Sequence, residues 1–219
     1  MPTQHPTLNS MAIIDLTHPM KPDMPTYPGD QQPVFAPVAS LNSHGYVASL
    51  ISFTTHTGTH IDSPAHCLNK GKTLDQFPAS HFIGQALVID CRQVRGDITL
   101  SHLAPLGSSL NTDFLLILTG WDRYWKDKRY FIDFPVLSAQ AVTWLATQSI
   151  KGIGLDTPSI DGPDATNLPN HRQLLNKDIL IIENLTRLDL IPGGHSQLLC
   201  LPLLITGTDA APARVIACC

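Results

Sequence analysis

The sequence predicts an α/β fold built around a mixed sheet that contains both parallel and antiparallel strand pairs. Two observations carry this prediction: many short apolar runs have the length of buried strands, and only two or three segments suit helices. No Ser/Gly-rich linker and no internal repeat divides the 219 residues, so we expect one domain over residues 1–219.

The predicted strands are short and rich in aliphatic or β-branched residues. In chain order they span residues 12–16, 47–55, 86–90, 114–118, 152–155, 179–182, 198–204 and 215–217. The segment 20–37 contains five prolines, which exclude a helix and favour an extended, pinned loop. Residues 1–10 are polar, and we expect them to be loosely held.

Residues 138–148 form the best predicted helix. Ser138 can cap its N-terminus, and one face of the helix is apolar, formed by Ala141, Val142, Leu145 and Ala146. A second, shorter helix is predicted over residues 170–176, with Asn170 as its N-cap. The alternation of such helices with short strands supports the α/β class.

Composition excludes several classes of protein. The net charge is −4 and no Lys/Arg cluster occurs, so we expect no nucleic-acid partner. No run of about 18 apolar residues is present, so we expect no membrane span. Five cysteines without a CxxC pair fit free thiols in a reducing compartment. With no signal-peptide pattern at the N-terminus, the expected location is cytoplasmic.

A histidine cluster carries the predicted chemistry. His56, His60 and His66 fall within eleven residues, together with Asp62. Imidazole nitrogen and carboxylate oxygen are common ligands of zinc, and they also suit manganese. A lone histidine is usually structural, but four candidate ligands around a glycine, three imidazoles and one carboxylate, favour a metal site.

The spacing of His56 and His60 resembles that of HExxH helices, but the local sequence opposes a helix. The neighbouring threonines are β-branched, Gly58 lies in the middle and Pro64 follows. On a straight strand the four steps from His56 to His60 would span about 13 Å, too far for both histidines to bind one ion. We therefore predict a bulge or tight turn at residues 57–59, made possible by Gly58.

The segment HTGTHIDSPAH resembles the HxGTHxDxPxH signature of the cyclase family of metal-dependent hydrolases, which contains bacterial kynurenine formamidases and isatin hydrolases. The matching positions are His56, Gly58, Thr59, His60, Asp62, Pro64 and His66. The resemblance extends over most of the chain, including residues 15–19, 24–30, 118–122, 152–161, 171–183 and 209–215. It implies the swivelling β/β/α-like fold of that family.

The resemblance also implies roles for individual residues. His56, His60 and Asp62 would bind a first metal ion, and Asp62 could bridge to a second. His171 and Glu183 would complete the site, which would hold Zn²⁺ or Mn²⁺ as one or two ions per subunit. His66 would be the proton donor and acceptor rather than a ligand. Tyr27 would face the substrate, at a position where the formamidases often have Trp.

These roles predict a hydrolase that cleaves a C–N amide bond in a small aromatic or cyclic substrate. The best candidate reaction converts N-formylkynurenine to kynurenine and formate. Isatin-like lactams and other small amides are alternatives, as is a protein that binds metal and a small ligand without catalysis. A Ser or Cys nucleophile has little support, because GxSxG is absent and Cys67 directly follows His66 in the chain.

Other polar and aromatic residues have weaker signals. Asp156 and Asp161 flank Pro158 and are interpreted as turn-forming carboxylates, with lining of the pocket as the alternative. Trp121 and Trp125 are interpreted as packing residues. Charged residues make up only 15% of the chain, which predicts burial of surface between subunits. The resemblance likewise implies a homodimer or homotetramer.

Overall fold

The computed structural model describes residues 12–219, and the polar segment predicted to be loose, residues 1–10, lies outside them. The strands are Ile13–Asp15 (β1), Val34–Ala39 (β2), Ala48–Ser52 (β3), His60–Asp62 (β4), Ile83–Asp90 (β5), Phe114–Leu118 (β6), Gly152–Leu155 (β7), Leu180–Glu183 (β8), His195–Pro202 (β9) and Ala210–Cys218 (β10). The α-helices are Leu41–His44 (α1), Leu100–Leu103 (α2), Ala139–Leu145 (α3) and Pro169–Leu175 (α4). Short 3₁₀ helices span Pro64–His66, Leu74–Gln76, Ala79–Phe82, Ala104–Leu106, Trp121–Tyr124, Lys128–Phe131, Leu188–Leu190 and Pro192–Gly194.

The main sheet closes into a barrel-like ring. Its strand order is β10-β4-β8-β7-β6-β5-β9, and β9 pairs back onto β10. β1 extends the ring by pairing with the C-terminal end of β10. The pairs β5–β6, β6–β7 and β7–β8 are parallel, whereas the other pairs are antiparallel. The predicted mixed α/β architecture is therefore confirmed.

Two apolar cores lie on opposite faces of the sheet. β6 shows the division: Phe114, Leu116 and Leu118 point into a core enclosed by the strands, while Leu115 and Ile117 point into a core that α2, α3 and α4 cover. Both faces of β6 are buried, as expected for strands in parallel pairs. This rigid frame holds β4 and β8 side by side, which positions the candidate site.

The predicted strands recur in the structure, but two strands were not predicted, β2 and the three-residue strand β4. β2 occupies the end of the segment predicted as a proline-rich loop, and it pairs with β3 in a separate two-stranded sheet. Pro37 is tolerated there because the pairing is irregular after it and the small sheet has free edges. The prolines therefore led to the prediction of a loop where the structure has the strand β2.

The predicted helices are both present, and one cap prediction is wrong. Ser138 caps α3, where its side chain accepts a hydrogen bond from the N–H of Ala141 at 3.3 Å. Asn170 is not the N-cap of α4, because the helix already begins at Pro169. The carboxylate of Asp161 instead accepts the N–H group of Asn170 at 2.9 Å. No helix within residues 12–219 is long and apolar enough to cross a membrane.

Candidate metal centre

The histidine-rich segment bends where the sequence predicts it. Gly58 adopts a φ of +69°, and the N–H of Thr57 donates to the carbonyl of Thr54 at 3.1 Å. A Cβ at Gly58 would also lie only 2.9 Å from Cε of Met24. The bend brings His56 back toward β4, so the predicted turn at residues 57–59 is confirmed.

Strand pairing and α4 bring two further groups to β4. In the antiparallel pair of β4 and β8, Glu183 lies opposite His60. Glu183 Oε1 accepts a hydrogen bond from the N–H of Ile160 at 2.9 Å, which fixes this carboxylate. The first turn of α4 contributes His171, which is buried and faces Asp62 of β4 and Glu183 of β8.

The side chains predicted as metal ligands form one cluster, which is buried except for the half-buried His56. Ring nitrogens and carboxylate oxygens face one another across short gaps, which are 3.0 Å for His56 Nδ1–Asp62 Oδ1, 3.2 Å for His60 Nε2–Asp62 Oδ1, 3.5 Å for His60 Nε2–Glu183 Oε2, 3.2 Å for His171 Nε2–Glu183 Oε1 and 3.5 Å for His171 Nε2–Asp62 Oδ2. Asp62 lies at the centre and is fully buried.

Backbone and side-chain acceptors fix the orientation of two of these rings. His60 Nδ1 donates to the carbonyl of Gly58 at 2.8 Å, and His171 Nδ1 donates to Asp161 Oδ2 at 2.7 Å. Because these oxygens can only accept, Nδ1 carries the hydrogen in both rings. When neutral, these two rings direct the lone pair of Nε2 at the carboxylates, as metal-binding histidines do.

His56 faces carboxylates on both sides of its ring. Its Nε2 donates to Asp209 Oδ2 at 2.9 Å, so in the neutral ring the lone pair of Nδ1 points at Asp62 Oδ1. Burial alone would lower the pKa of His56, but Asp62 and Asp209 raise it to about 10. The two carboxylates therefore favour a positive charge on the His56 ring.

The polar atoms of the cluster fit a divalent cation. Within the described chain, neither carboxylate oxygen of Asp62 nor Nε2 of His60 has a hydrogen-bond partner, although all three atoms are buried. Such orphaned groups are costly unless a cation or proton satisfies them. Ligands about 2.1 Å from one ion lie about 3.0–3.4 Å apart at tetrahedral or octahedral angles, which matches most gaps in the cluster.

His66 stands beside this cluster, at the end of the 3₁₀ helix Pro64–His66. Its ring centroid is 4.2 Å from that of His56 and 5.4 Å from that of His171. Two sets of side chains have ligand atoms close enough for an ion: His56, Asp62 and His66, and His60, Asp62 and Glu183. The geometry thus permits two ions that share Asp62, and it gives His66 access to the same space.

A cavity of about 390 Å³ opens over the cluster. Tyr27, Trp125 and Phe131 form an aromatic wall, and the rings of Tyr27 and Phe131 meet edge to face at 5.8 Å. Among the described residues no Lys or Arg lines the cavity. The arrangement suits a small, flat, aromatic ligand.

Of the residues with weaker signals in the sequence, Trp125 lines the cavity, whereas Trp121, Asp156 and Asp161 do not. The indole of Trp121 donates its Nε1–H to the carbonyl of Tyr130 at 2.8 Å. Trp125 lines the cavity and stacks on His18, with centroids 4.0 Å apart. The buried carboxylate of Asp156 accepts the N–H groups of Thr119 and Gly120, so it organises a turn as interpreted from the sequence.

Two residues of the site were not recognised in the sequence. Asp209 accepts hydrogen bonds from His56 and His66, and these bonds lower its pKa below the ordinary value. Asn184, directly after Glu183, donates to the carbonyl of Gly58 at 2.9 Å. The adjacency of Asn184 to Glu183 and the place of Asp209 in the resembling segment 209–215 were available signals, and the pairing of β4 with β10 places Asp209 at the site.

Comparisons with known proteins extend these observations. The Cyclase family model matches residues 14–162. A kynurenine formamidase from Salinibacter ruber is 33% identical over 211 residues, which cover 94% of this chain and 97% of the relative. A kynurenine formamidase from Erythrobacter litoralis is 32% identical over 205 residues, covering 93% and 92%.

Solved structures give the same relationship. A structure described as a potential metal-dependent hydrolase with cyclase activity superposes with a TM-score of 0.81 at 31% identity, covering 95% of this chain and 98% of that one. Isatin hydrolase A from Labrenzia aggregata, bound to benzyl benzoate, superposes with a TM-score of 0.84 at 24% identity, covering 96% and 94%. The latter similarity concerns the fold.

Proposed function

The chain is a hydrolase of the Cyclase family, and from this premise we propose that it cleaves the C–N bond of a small aromatic amide with a divalent cation. The observation that carries the proposal is the environment of Asp62. Its carboxylate is fully buried and has no hydrogen-bond partner among the described residues, yet it faces three imidazole rings. A cation is the group that satisfies this arrangement best.

His56, His60, Asp62, His171 and Glu183 would hold the cation, either Zn²⁺ or Mn²⁺, as one or two ions per subunit. When bound, such an ion lowers the pKa of a water molecule in contact with it to about 7 and stabilises negative charge on a carbonyl oxygen. The chain contributes the orientation of its ligands and the aromatic wall of the cavity above them.

His66 would be the catalytic proton carrier. Its Nδ1 donates to Asp209 at 3.3 Å, which leaves Nε2 to accept a proton from the attacking water. Oxygen of that water bonds to the carbonyl carbon, the C–N bond breaks, and His66 returns the proton to the leaving nitrogen. One amide and one water thus give one amine and one carboxylic acid.

The aromatic wall supports an aromatic substrate, with Tyr27 and Phe131 as contacts of its ring. The relatives named kynurenine formamidase support N-formylkynurenine as the substrate, which would give kynurenine and formate. Isatin-like lactams are the second candidate, because a lactam ring would meet the same wall and the same cluster. We propose that residues 1–219 form a single domain that carries this activity.

The deciding experiment is formate release from N-formylkynurenine by protein loaded separately with Zn²⁺ and Mn²⁺. Isatin is the parallel substrate, with ring opening followed by absorbance. The proposal predicts turnover that chelation abolishes and metal restores. His66→Ala should keep its metal and lose about 10²–10⁴-fold in kcat. Stoichiometric metal without turnover on either substrate would instead favour a binding protein, and full activity of His66→Ala would overturn the role of that residue.

We also propose a homodimer or homotetramer in the cytoplasm. Free thiols at all five cysteines are consistent with the cytoplasm, a reducing compartment.

The oligomer is supported by the small sheet of β2 and β3, which exposes large apolar side chains, including Val34, Val38 and Leu50. Such exposure is unusual for a free surface. Light scattering should give at least twice the chain mass of 23.9 kDa, and Leu50→Glu should shift it toward that of the monomer.

A further inference from the structure

One carboxylate outside the proposed ligand set connects the cluster to His66. Asp209 directly precedes β10, and the pairing of Ala210 with Asp62 places it beside the histidine-rich segment. Its Oδ2 accepts hydrogen bonds from His56 Nε2 at 2.9 Å and from His66 Nδ1 at 3.3 Å. One oxygen atom therefore touches a proposed ligand and the proposed proton carrier.

Further hydrogen bonds hold Asp209 in place. Its Oδ1 accepts from the hydroxyl of Thr55 at 3.0 Å. Its backbone carbonyl accepts from both the N–H and the hydroxyl of Ser63, at 2.9 and 2.8 Å. Because both ends of the residue are held, the carboxylate has a defined direction relative to the two rings.

The shared oxygen has a different consequence for each ring. For His66, a hydrogen on Nδ1 leaves Nε2 as the nitrogen available in the cavity. For His56, a hydrogen on Nε2 leaves Nδ1 to face Asp62, unlike His60 and His171, which direct Nε2 inward. The hydrogen bond made by one nitrogen sets the state of the other in both cases.

We propose that Asp209 is a positioning residue of the reaction, which fixes the Nδ1–H form of His66 and so presents Nε2 to the substrate. The inference rests on the proposed role of His66 as proton carrier. Asp209 does not contact the reacting atoms, and its effect on the reaction passes through the orientation and tautomer of the imidazole ring. Loss of this carboxylate would leave the ring free to turn or to carry its hydrogen on Nε2.

The test combines nitrogen NMR with kinetics on the zinc-loaded protein. With ¹⁵N-labelled histidine at pH 8, long-range ¹H–¹⁵N correlations report which nitrogen of His66 carries the hydrogen. We expect Nδ1–H in the wild type and a substantial Nε2–H population in Asp209→Asn. Formate release at saturating zinc should show kcat lowered about 10²–10⁴-fold, with KM within about threefold. Asp209→Glu should recover part of the loss.

Asp15→Asn is the matched control, because Asp15 binds Arg214 on the same strand, β10, but lies away from the cavity. It should keep the wild-type kcat and tautomer. An Nε2–H form of His66 in the wild type would overturn the inference even if no Asp209 variant folds. An Asp209→Asn enzyme with wild-type kcat and an unchanged tautomer would overturn it as well. Either result would leave the proposed function standing, which fails if neither amide is cleaved. Full activity of His66→Ala would overturn the role of His66 and, with it, this inference.

Discussion

Asp161 and His171 form a buried pair in which His171 Nδ1 donates to Asp161 Oδ2 at 2.7 Å. The same carboxylate accepts the backbone N–H groups of Asn170 and His171, at 2.9 and 3.0 Å. Asp161 thus caps α4 and orients the ring of His171 in one arrangement. These hydrogen bonds lower the pKa of Asp161 although burial opposes them, so the carboxylate stays ionised at neutral pH.

Replacing this carboxylate should weaken metal binding. Asp161→Asn removes the charge that holds Nδ1–H of His171, and loss of such a partner typically lowers metal affinity about 10- to 100-fold. The weaker cap should also lower the free energy of unfolding by about 1 kcal/mol. Competition with a chromophoric chelator measures the affinity. Asp164→Asn, an exposed position in the same loop, is the control, and equal affinities for the two variants would contradict the prediction.

The turn at Gly58 should be sensitive to a single methyl group. Gly58→Ala places a side chain at a φ of +69° and a Cβ 2.9 Å from Met24 Cε. We expect a loss of about 1–3 kcal/mol in the free energy of unfolding, together with weaker metal binding. Gly45→Ala has a similar φ of +74° but open space around its Cβ. Urea unfolding of both variants separates backbone strain from the contact, and an undiminished metal affinity of Gly58→Ala would argue against the turn as a determinant of the site.

A buried hydrogen-bond chain behind the cluster should contribute to stability. The hydroxyl of Tyr130 donates to Asn184 Oδ1 at 2.9 Å, and Asn184 Nδ2 donates to the carbonyl of Gly58. Tyr130→Phe leaves a buried amide oxygen unpaired, which should lower the free energy of unfolding by about 1–3 kcal/mol. Metal content should be retained, because the bond to Gly58 remains. Tyr124→Phe is the control. Equal free energies of unfolding for the two variants would contradict a stabilising role of these hydrogen bonds.

His18 should make stability depend on pH. Its ring stacks on Trp125, and burial lowers its pKa from 6.5 to about 4, with Asp122 opposing and Arg187 adding to the shift. Between these values the unfolded chain binds a proton that the folded chain does not, so stability falls as the pH falls from about 6.5 to 4. The loss is at most about 3 kcal/mol.

His18→Phe keeps a flat ring and removes the titration. We expect the wild type to lose stability relative to this variant on acidification from pH 7 to 4.5, measured by urea unfolding at each pH. Since other groups titrate equally in both proteins, the difference isolates His18. A difference that stays constant over this range would rule out the depressed pKa.

The elements set by local burial are those the sequence predicts best. The runs Phe114–Leu118 and Gly152–Leu155 coincide with predicted strands, because both faces of these strands are covered and every residue is apolar or glycine. The bend at Gly58 was also predictable, since ligand spacing and backbone freedom demanded it. Local chemistry was sufficient in these cases.

The features that the sequence did not predict depend on contacts between residues that are not neighbours in the chain. Asp209 meets His56, which lies 153 residues away in the chain, only because β10 pairs with β4. The residue type of Asn170 predicts a cap at this position, but the carboxylate of Asp161 provides the acceptor. Pro37 argued against a strand, yet an edge strand with irregular pairing accommodates it.

The central claim is that the cluster around Asp62 holds the catalytic divalent cation. The most direct measurement is an anomalous difference map from crystals of the active, zinc-loaded protein, recorded on both sides of the zinc absorption edge. We expect one or two peaks enclosed by His56, His60, Asp62, His171 and Glu183. A catalytically active crystal with no anomalous peak among these side chains, or with its only peak elsewhere, would contradict it.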